Sequence, residues 1–525
     1  MELELILALG MFLAAIFALL AGYPVALTLG GVALIFGLIG VQLDLIPLPI
    51  LRNLPSRILG AMENQVLIAV PLFVLMGVIL ERSKVADDLL YTASRLLARV
   101  RGGLGYAVVL VGALLAASTG IVGATVITMT LIALPTMLRQ GYDPKLASGT
   151  IAASGTLGQI IPPSIVLILL ADAVSTANQS AAMRSGQGAG VVSVGDLFAG
   201  ALVPGLMLVG LYLVYLVCRA VLTPASSPAI QIEEDAEPLT AGKIVRSLGA
   251  PLLLIIAVLG SILGGLASPT EASAIGAGGA LILAGLRFAP EYGRAWHRWL
   301  ILAAFVSVLV LALLTQTVDL TYAVGPRSAL QAVAQSVAVV ASLLILAGLL
   351  ASAYVLRQAA QFTAALKSGA QITSMVFLIL IGASLFALVF RAYGGEHYVE
   401  ALLTGIPGGM WGALALTMLV MFVLGFFLDF IEIVFVVVPI VAPPLIILGA
   451  DPVWLAILMA LNLQTSFLTP PFGFALFYLR GAAPDSLQTI DIWRGALPFI
   501  GLQLLMIGLV AAIPALATTL PAWVR

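Results

Sequence analysis

Polar side chains are concentrated just before two proline pairs, Pro162-Pro163 and Pro470-Pro471, that interrupt long apolar runs. They are hydroxyl and amide residues: Ser154, Thr156 and Gln159 in the first run, and Asn462, Gln464, Thr465 and Thr469 in the second. A proline pair breaks the hydrogen-bond ladder of a helix, and carbonyls freed at bilayer depth need polar partners. These residues therefore predict an ion or substrate site lined by backbone and side-chain oxygens.

The same pattern of prolines and glycines occurs twice in the chain, which indicates an internal repeat. At a constant offset, Pro135, Gly141, Asp143 and Pro144 recur as Pro443, Gly449, Asp451 and Pro452. Each copy starts a helix at Gly-x-Asp-Pro, where the aspartate caps the helix and the missing proline N–H costs nothing. Helices broken at matching positions in two halves are typical of secondary transporters.

Two carboxylates, Asp429 and Glu432, stand three residues apart and therefore share one helix face in an apolar context. A charge at the bilayer centre costs at least about 2.5 kcal/mol unless it is paired or hydrated, which favours a functional role. Two negative charges attract a cation such as sodium and repel an anionic substrate. The alternative is structural, with the carboxylates tethering the loop by accepting backbone N–H bonds.

Other polar residues have structural explanations beside functional ones. Ser268 and Glu271 have capping-box spacing, so a structural role is expected for this glutamate. Arg391 and Arg480 end apolar runs, where an arginine either holds a substrate carboxylate through paired hydrogen bonds or anchors a helix end. The hydroxyl residues either line the site or return hydrogen bonds to preceding carbonyls; they include Ser118, Thr119, Thr125, Thr156 and Thr465.

The composition excludes most other classes of protein. Of 525 residues, 62% are hydrophobic and 9% are charged, which predicts a polytopic membrane protein. The net charge of −1 gives no indication of nucleic-acid binding. One cysteine, Cys218, and two separated histidines, His297 and His397, provide neither a disulfide nor a metal-ligand cluster. A nucleophile paired with a base is also missing, so we expect no enzyme and no cofactor other than a coupling ion.

Apolar runs predict the elements that position the polar residues. Spanning helices are expected at roughly 5–20, 24–41, 64–80, 196–222, 249–266, 270–286, 299–318, 334–355, 371–390 and 492–518. The run 5–20 is expected to be an uncleaved membrane helix. Residues 104–139 and 409–447 each read as two apolar halves around a polar tip, which predicts two re-entrant hairpins. Broken helices are expected at 144–172 and 452–480.

Candidate interfacial arms precede the two hairpins. Residues 81–101 have leucines at helical spacing with arginines and Lys84 among the polar positions, whereas 392–412 carry Glu396 and Glu400 and no lysine or arginine. The positive-inside tendency places the arms on opposite sides, so the repeats are expected to be inverted. The polar stretches 173–194 and 223–243 are predicted to be surface loops of low order. No extramembrane domain is expected.

The chain resembles the large membrane subunit of TRAP transporters, often called DctM-like. The resemblance rests on the run from Leu115 to Leu170 and on three further motifs in the order of that family: Gly264-Gly-x-x-Ser268-Pro-Thr-Glu-Ala272, Gly425-Phe-Phe-Leu-Asp429 and Leu468-Thr-Pro-Pro-Phe-Gly473. It covers nearly the whole chain except 288–365, which provides about two extra spanning helices between a first half, 1–287, and a second half, 366–525.

The resemblance implies an inverted-repeat, elevator-type importer of organic acids, driven by sodium, in the bacterial inner membrane. It also implies a small four-helix membrane subunit and a periplasmic solute-binding protein as partners. By similarity, sodium would bind at Ser118, Thr119, Gly120, Ser154, Gly155, Thr156, Gly158, Gly425, Asp429, Asn462, Thr465 and Thr469. The residues assigned to the substrate are Gln159, Pro162, Pro163, Glu432, Gln464, Pro470, Pro471 and Arg391.

Two questions stay open at this point. The substrate is either a C4-dicarboxylate or, from the sequence around Asp429, a 2-oxo acid or another carboxylate. The rival function is a stand-alone sodium- or proton-coupled anion symporter or antiporter that needs no binding protein.

Overall fold

The computed structural model describes residues 2–186, 190–230, 239–318 and 329–524, and this part of the chain is helical without any strand. Eleven of its helices are long and apolar enough to cross a bilayer. The predicted all-α, multi-pass membrane fold is therefore confirmed.

Fourteen helices form the part before the central segment. They are α1 (Glu2–Leu20), α2 (Val25–Gln42), α3 (Leu48–Arg52), α4 (Leu54–Met62), α5 (Gln65–Arg82), α6 (Val85–Leu96), α7 (Gly103–Thr119), α8 (Val122–Arg139), α9 (Pro144–Thr156), α10 (Ile165–Ser185), α11 (Val194–Leu222), α12 (Ala241–Ile244), α13 (Ala250–Leu263) and α14 (Pro269–Tyr292).

Eleven helices follow. They are α15 (Ala295–Thr317), α16 (Ala329–Gln358), α17 (Gln361–Ala392), α18 (Gly395–Gly405), α19 (Gly409–Leu424), α20 (Phe430–Val436), α21 (Val438–Ile447), α22 (Pro452–Leu468), α23 (Phe474–Ala482), α24 (Thr489–Ala512) and α25 (Ala515–Val524).

The helices pack as an outer frame and an inner unit. In the frame, α14 packs on α5, α17 packs on α2 and α5, and α15 lies along α16. The inner unit contains the hairpins α7–α8 and α19–α21, the broken helices α9–α10 and α22–α23, and the helices α11 and α24 that pack on them. The helices α9 and α22 are nearly enclosed, because other parts of the protein surround them in place of lipid.

The two arms lie at opposite ends of the first broken helix. The start of α9 lies near the end of α6, because the segment 226–230 is bound to both. The Asp143 N–H, just before α9, donates to Ser226 O, and the Ile230 N–H donates to Ala98 O, just after α6. At the far end of α10, Arg184 pairs with Glu396 of α18. This placement agrees with arms on opposite sides of the membrane, and the inverted topology of the two halves stays a prediction.

The first arm and the predicted loops differ from expectation in extent. Only Val85–Leu96 of the segment 81–101 forms a separate amphipathic helix, because Glu81 and Arg82 still belong to α5. The supposed loop 173–194 is helical as far as Ser185, because residues of α10 such as Val174 and Ala177 are buried against neighbouring helices. Of the stretch 223–243, residues 231–238 lie outside the described part.

The predicted last helix, 492–518, is two helices. Helix α24 ends at Ala512 and α25 begins at Ala515, with Pro514 between them. Proline has no N–H to continue the ladder, so the chain turns there. Helix α25 then packs on α11, where Gly200 lies against the carbonyl of Ala517.

The central segment 288–365 contains two long helices, α15 and α16, as the apolar runs predict. Small residues bring them close to each other and to α14. Gly348 faces Ala304, and Gly285 of α14 faces Ser352 so closely that a methyl group at either glycine would overlap its neighbour. Whether these helices are additional to the family pattern stays a prediction.

Three predicted helix caps are confirmed. The carboxylates of Asp143 and Asp451 accept the N–H groups of Lys145 and Trp454, at 2.9 Å in both cases. At the start of α14, the Glu271 carboxylate accepts the N–H of Ser268, while the Ser268 hydroxyl accepts the N–H of Glu271.

Loss of the α14 cap is expected to destabilise the protein modestly. Replacing Ser268 by alanine removes one acceptor for a free helix-end N–H, which costs about 0.5–2 kcal/mol. The thermal midpoint of the detergent-purified protein should therefore fall, whereas uptake measured at a permissive temperature should be retained. A threonine at this position keeps the acceptor and should restore the midpoint; no difference between the alanine and threonine variants would contradict the assignment.

Candidate functional site

Both broken helices are interrupted at their proline pairs. Helix α9 ends at Thr156 and continues as one tight turn, Leu157–Gln159, before α10 begins at Ile165. Helix α22 ends at Leu468, and α23 begins at Phe474. Each interruption contains a cis peptide bond between its two prolines. Backbone carbonyls just before each break therefore lose their helical partners.

The tip of the first hairpin lies against the first break. Gly120 forms the turn between α7 and α8 with φ +60°, a conformation that glycine adopts readily. Its Cβ position is 3.1 Å from the backbone nitrogen of Ile165, and Gly158 similarly faces Ala116 at 3.4 Å. The tip thus contacts the tight turn after α9 and the first residue of α10. The side chains of Ser118 and Thr119 lie outside the described part of the structure.

The tip of the second hairpin lies against the second broken helix. Gly425, which follows α19, packs directly on the side chain of Ser466 in α22. One turn earlier in α22, the Asn462 amide donates to the Met418 carbonyl of α19 at 2.8 Å. Each hairpin is therefore attached to the broken helix of its own half, as the repeat predicts.

Filling the contact at Gly425 is expected to displace the second tip. A methyl group there overlaps the Ser466 side chain, so Gly425→Ala should reduce transport and lower stability by about 1–3 kcal/mol. Removing the obstructing side chain in the double variant Gly425→Ala, Ser466→Gly should recover part of both losses. Uptake and thermal midpoints of the two single variants and the double variant form the measurement, and strictly additive effects would exclude the contact as the cause.

After its break, each broken helix contacts the hairpin of the other half. Helix α10 packs on α20 and α21 of the second hairpin, and α23 packs on α8 of the first hairpin. At the second of these contacts, the position that a Cβ would occupy at Gly123 is 3.0 Å from the ring of Tyr478. Helix α22 also contacts α9 and the tight turn that follows it. The two breaks and both hairpin tips therefore surround one central region.

The site hydroxyls donate to preceding carbonyls, which is the structural alternative considered for them. The donor and acceptor pairs are Ser154 to Thr150 O at 2.6 Å, Thr156 to Ala153 O at 2.8 Å, Thr465 to Leu461 O at 2.7 Å and Thr469 to Thr465 O at 2.7 Å. A hydroxyl has one proton and two lone pairs, so this donation leaves its oxygen able to accept. Cation coordination uses lone pairs and is compatible with this geometry.

Two buried amides lie beside the breaks, and both are 0% exposed. Neither polar atom of the Gln159 amide meets a partner among the described residues, and the Gln464 amide forms no well-aligned hydrogen bond there although the Tyr212 hydroxyl is near it. Buried polar atoms of this kind are uncommon, because each one costs about 1–3 kcal/mol. Both residues were predicted from the sequence, and their geometry fits groups that hydrogen-bond a transported ligand.

A third buried amide was not predicted from the sequence. Gln503 of α24 donates to the Tyr212 hydroxyl of α11 at 2.7 Å and to the Thr156 hydroxyl at 3.3 Å. It thereby links two surrounding helices to the end of α9. The signal was present in the sequence, since Gln503 is the one polar residue between Pro498 and Ala512.

Asp429 and Glu432 form a capping box at the start of α20. The Asp429 carboxylate accepts the N–H of Phe430, and the Glu432 carboxylate accepts the N–H of Asp429. Glu432 also lines a narrow apolar crevice with Phe12, Leu29 and other frame residues, so it faces α1 and α2. The structural alternative for this pair is thus seen in the geometry, and the assignments of Asp429 to sodium and Glu432 to substrate stay predictions.

The two arginines considered for carboxylate binding have protein partners. Arg391 pairs with Glu396 at 2.7 Å, and Glu396 also pairs with Arg184. Through Glu396, Arg391 is therefore placed near Arg184, which lies close to the end of α10. With a rise of 1.5 Å per residue, Arg184 is about 28 Å along this helix from the break. Arg480 donates to the Leu487 carbonyl. The structure does not bring Arg391 to the central region, so its assignment to substrate is unsupported by geometry.

Comparisons with known proteins agree with this architecture. Residues 12–516 match the family described as "Tripartite ATP-independent periplasmic transporter, DctM component". The chain is 28% identical over 475 residues to the C4-dicarboxylate TRAP transporter large permease protein DctM of Pseudomonas aeruginosa, covering 90% of each chain. It is 26% identical over 506 residues to the ectoine TRAP transporter large permease protein TeaC of Halomonas elongata, covering 95% of each.

A solved structure shares the fold. The YdaH transporter of Alcanivorax borkumensis superposes with a TM-score of 0.51 at 15% identity, covering 90% of this chain and 87% of that one. The family match extends over both hairpins and both broken helices, and it confirms the resemblance inferred from the motifs. The chain belongs to the DctM family, the large permease component of tripartite ATP-independent periplasmic (TRAP) transporters.

Proposed function

We propose that this protein imports organic acid anions together with sodium, as the large membrane component of a binding-protein-dependent TRAP transporter. Its partners would be a small four-helix membrane subunit and a periplasmic solute-binding protein, and its location the bacterial inner membrane. The observation that carries the proposal is the composition of the central region. The two helix breaks bring together the buried amides of Gln159 and Gln464, hydroxyls that donate to preceding carbonyls, and the start of α10.

The chemistry of this region suits an anion and a cation at once. The N-termini of α10 and α23 follow the breaks, and the positive end of a helix dipole favours an anionic group. Amide N–H groups of Gln159 and Gln464 add hydrogen-bond donors without a competing charge. Carbonyls at the ends of α9 and α22, with the hydroxyl oxygens beside them, are oxygen ligands for sodium.

Sodium binding and substrate binding would be coupled because the same hairpin tips border both sites. The first tip, at Gly120, touches the start of α10, and the second, at Gly425, touches α22. A sodium ion that orders a tip would therefore also complete the substrate site, and substrate would raise sodium affinity by the same factor. The cation ligands are proposed to come from the end of α9 with the first tip, and from Asn462, Thr465 and Thr469 with the second.

Transport would proceed by an elevator motion of the inner unit against the frame. The contacts between them are made largely by apolar helices, α17 on α20 and α5 on α7 and α10. Polar contacts cross the same boundary, because Asn64 before α5 donates to the Asp172 carboxylate of α10 at 2.7 Å, so the motion would exchange this hydrogen bond. Relatives are named for C4-dicarboxylates and for ectoine, so the substrate differs within the family. The class proposed here, organic acid anions, rests on the first of these names.

The test is uptake into proteoliposomes that contain this chain and its small membrane partner. Radiolabelled dicarboxylates, 2-oxo acids and sugar acids are supplied with or without the candidate binding protein, under an inward gradient of sodium, of potassium or of protons. Accumulation that requires both sodium and the binding protein supports the proposal. Uptake without the binding protein indicates a stand-alone carrier, and uptake driven equally by a proton gradient contradicts sodium coupling.

A further inference from the structure

One buried tyrosine lies between helices of both halves, beside the ends of the two broken helices. Tyr212 of α11 is 0% exposed, and its ring packs edge-to-face on Phe499 of α24, with 5.1 Å between the ring centres. Its hydroxyl accepts a hydrogen bond from the Gln503 amide of α24 at 2.7 Å. The same hydroxyl is near Thr156 at the end of α9 and near Gln464 of α22. Tyr212 therefore lies where the last turns of α9 and α22 meet two surrounding helices.

The hydroxyl proton of Thr156 fixes the direction of the first hydrogen bonds in this cluster. That proton is donated to the Ala153 carbonyl at 2.8 Å, so the Thr156 oxygen can only accept from Gln503, which is 3.3 Å away. The Gln503 side chain must therefore present its NH2 group here, and the two protons of that group go to Thr156 and Tyr212. The orientation of the Gln503 amide is thus set by a backbone carbonyl of α9.

The proton of the Tyr212 hydroxyl is left for a second acceptor. Because this hydroxyl already accepts from Gln503, its own proton is directed elsewhere. Thr156 and Gln464 both bring a side-chain oxygen near it. Thr156 already accepts the Gln503 N–H, whereas the Gln464 oxygen has no aligned partner among the described residues. A buried oxygen without a partner is costly, so donation to Gln464 stabilises the cluster more than donation to Thr156.

We infer that Tyr212 is a positioning residue, whose hydroxyl donates to the oxygen of the Gln464 amide and turns the NH2 group of that amide toward the transported ligand. The inference rests on the proposed function and narrows the ligand chemistry at this residue. An NH2 group only donates, so Gln464 binds a hydrogen-bond acceptor such as a carboxylate oxygen and gives no acceptor to an ammonium group. Gln503 supports this arrangement by holding the Tyr212 hydroxyl.

The test is a double-mutant cycle on uptake by the full-length chain with its small membrane partner, using an organic acid that the wild-type protein accumulates. Tyr212→Phe removes the hydroxyl and keeps the ring on Phe499. The apparent KM for the acid should rise about 3- to 10-fold, because one hydrogen bond between uncharged groups changes an equilibrium by that order. The maximal rate per folded transporter should be retained.

In a Gln464→Met background, Tyr212→Phe should leave KM unchanged, because the amide that the hydroxyl orients is gone. A rise in KM that is equally large in this background would overturn the inference, and so would an unchanged KM in the single variant. The second result is the one expected of a merely structural tyrosine, which would lower the thermal midpoint without affecting KM.

The matched control is Tyr215→Phe, an identical change on the same helix. Tyr215 packs on the same Phe499 ring, again with 5.1 Å between the ring centres, but its hydroxyl is not part of the cluster around Gln503. This variant should keep the wild-type KM. If both tyrosine variants raised KM equally, the effect would come from the packing of α11 on α24 and the positioning role would be refuted.

The hydrogen bond itself is tested without substrate, through thermal midpoints of the ligand-free protein in detergent. If Tyr212 donates to Gln464, the midpoint changes of Tyr212→Phe and Gln464→Met are not additive, whereas additive changes contradict the bond. A wild-type protein that takes up no organic acid, or that needs neither sodium nor a binding protein, refutes the proposed function alone. The midpoint cycle still decides in that case whether Tyr212 donates to Gln464.

Discussion

Replacing Gln159 by methionine is expected to impair transport severely while stabilising the protein. Both polar atoms of this amide are buried without a partner among the described residues, which costs about 1–3 kcal/mol of folding free energy. An unbranched apolar side chain of similar length removes that cost. A hydrogen bond to a charged ligand contributes about 1.5–3 kcal/mol, so the apparent affinity for substrate should fall roughly 10- to 150-fold. Uptake kinetics and the thermal midpoint of the same preparation check the two effects.

The matched control is Gln503→Met, an identical change in an amide whose nitrogen makes two hydrogen bonds while its oxygen meets no partner among the described residues. This variant deprives the fully buried Tyr212 hydroxyl of its 2.7 Å partner, so stability should fall instead of rise. Opposite signs of the stability change at the two positions are the expected signature. A loss of stability in Gln159→Met, with unchanged substrate affinity, would show that this amide serves the fold and does not contact the ligand.

Replacing Gly495 by alanine is expected to separate α24 from α9. The added methyl group would overlap the Lys145 carbonyl, and Gly149 opposite faces the Gly495 carbonyl in the same way. Backbone atoms cannot move aside as a flexible side chain can, so the overpacking should cost at least about 2–3 kcal/mol. Thermal midpoint and the yield of monodisperse protein measure the effect, and uptake should fall because α9 carries Thr156 at its end.

Gly508 of the same helix provides the control. Nothing lies within 4 Å of the position that its Cβ would occupy, so the methyl group meets open space. Alanine has a higher helix propensity than glycine by up to about 1 kcal/mol, and Gly508→Ala should leave stability equal or slightly higher. If Gly495→Ala behaved like Gly508→Ala, the backbone contact between α9 and α24 would not exist as described.

Breaks and caps could be predicted from the sequence because their causes are local. Pro162-Pro163 and Pro470-Pro471 interrupt a helix wherever it is placed, since proline has no N–H to donate. Ser268 with Glu271 caps a helix through residues three positions apart. The charge difference between the arms likewise predicted the inverted repeat, because lysine and arginine are distributed unequally across a membrane.

The ends of helices were predicted wrongly where packing overrides local composition. The stretch 173–194 is polar and small, which suggests a loop, yet α10 continues to Ser185 because buried residues such as Val174 pack on neighbouring helices. The reverse holds at Pro514, where an apolar run that looks continuous divides into α24 and α25. Composition reports the average environment of a segment and not the partners it meets.

The class of protein, the repeat, the positions of both breaks and the family can be predicted without coordinates, because they depend on composition and on residues close together in the chain. Which polar groups are left without partners becomes visible only in the folded protein. Gln159 and Gln503 are both amides within apolar stretches of the chain, yet the first is unpaired and the second donates to Tyr212. Arg391 could hold a carboxylate, but Glu396 already occupies it. Hydrogen bonds and ion pairs form between groups that folding brings together across long stretches of chain, and spacing in the sequence carries no record of those contacts.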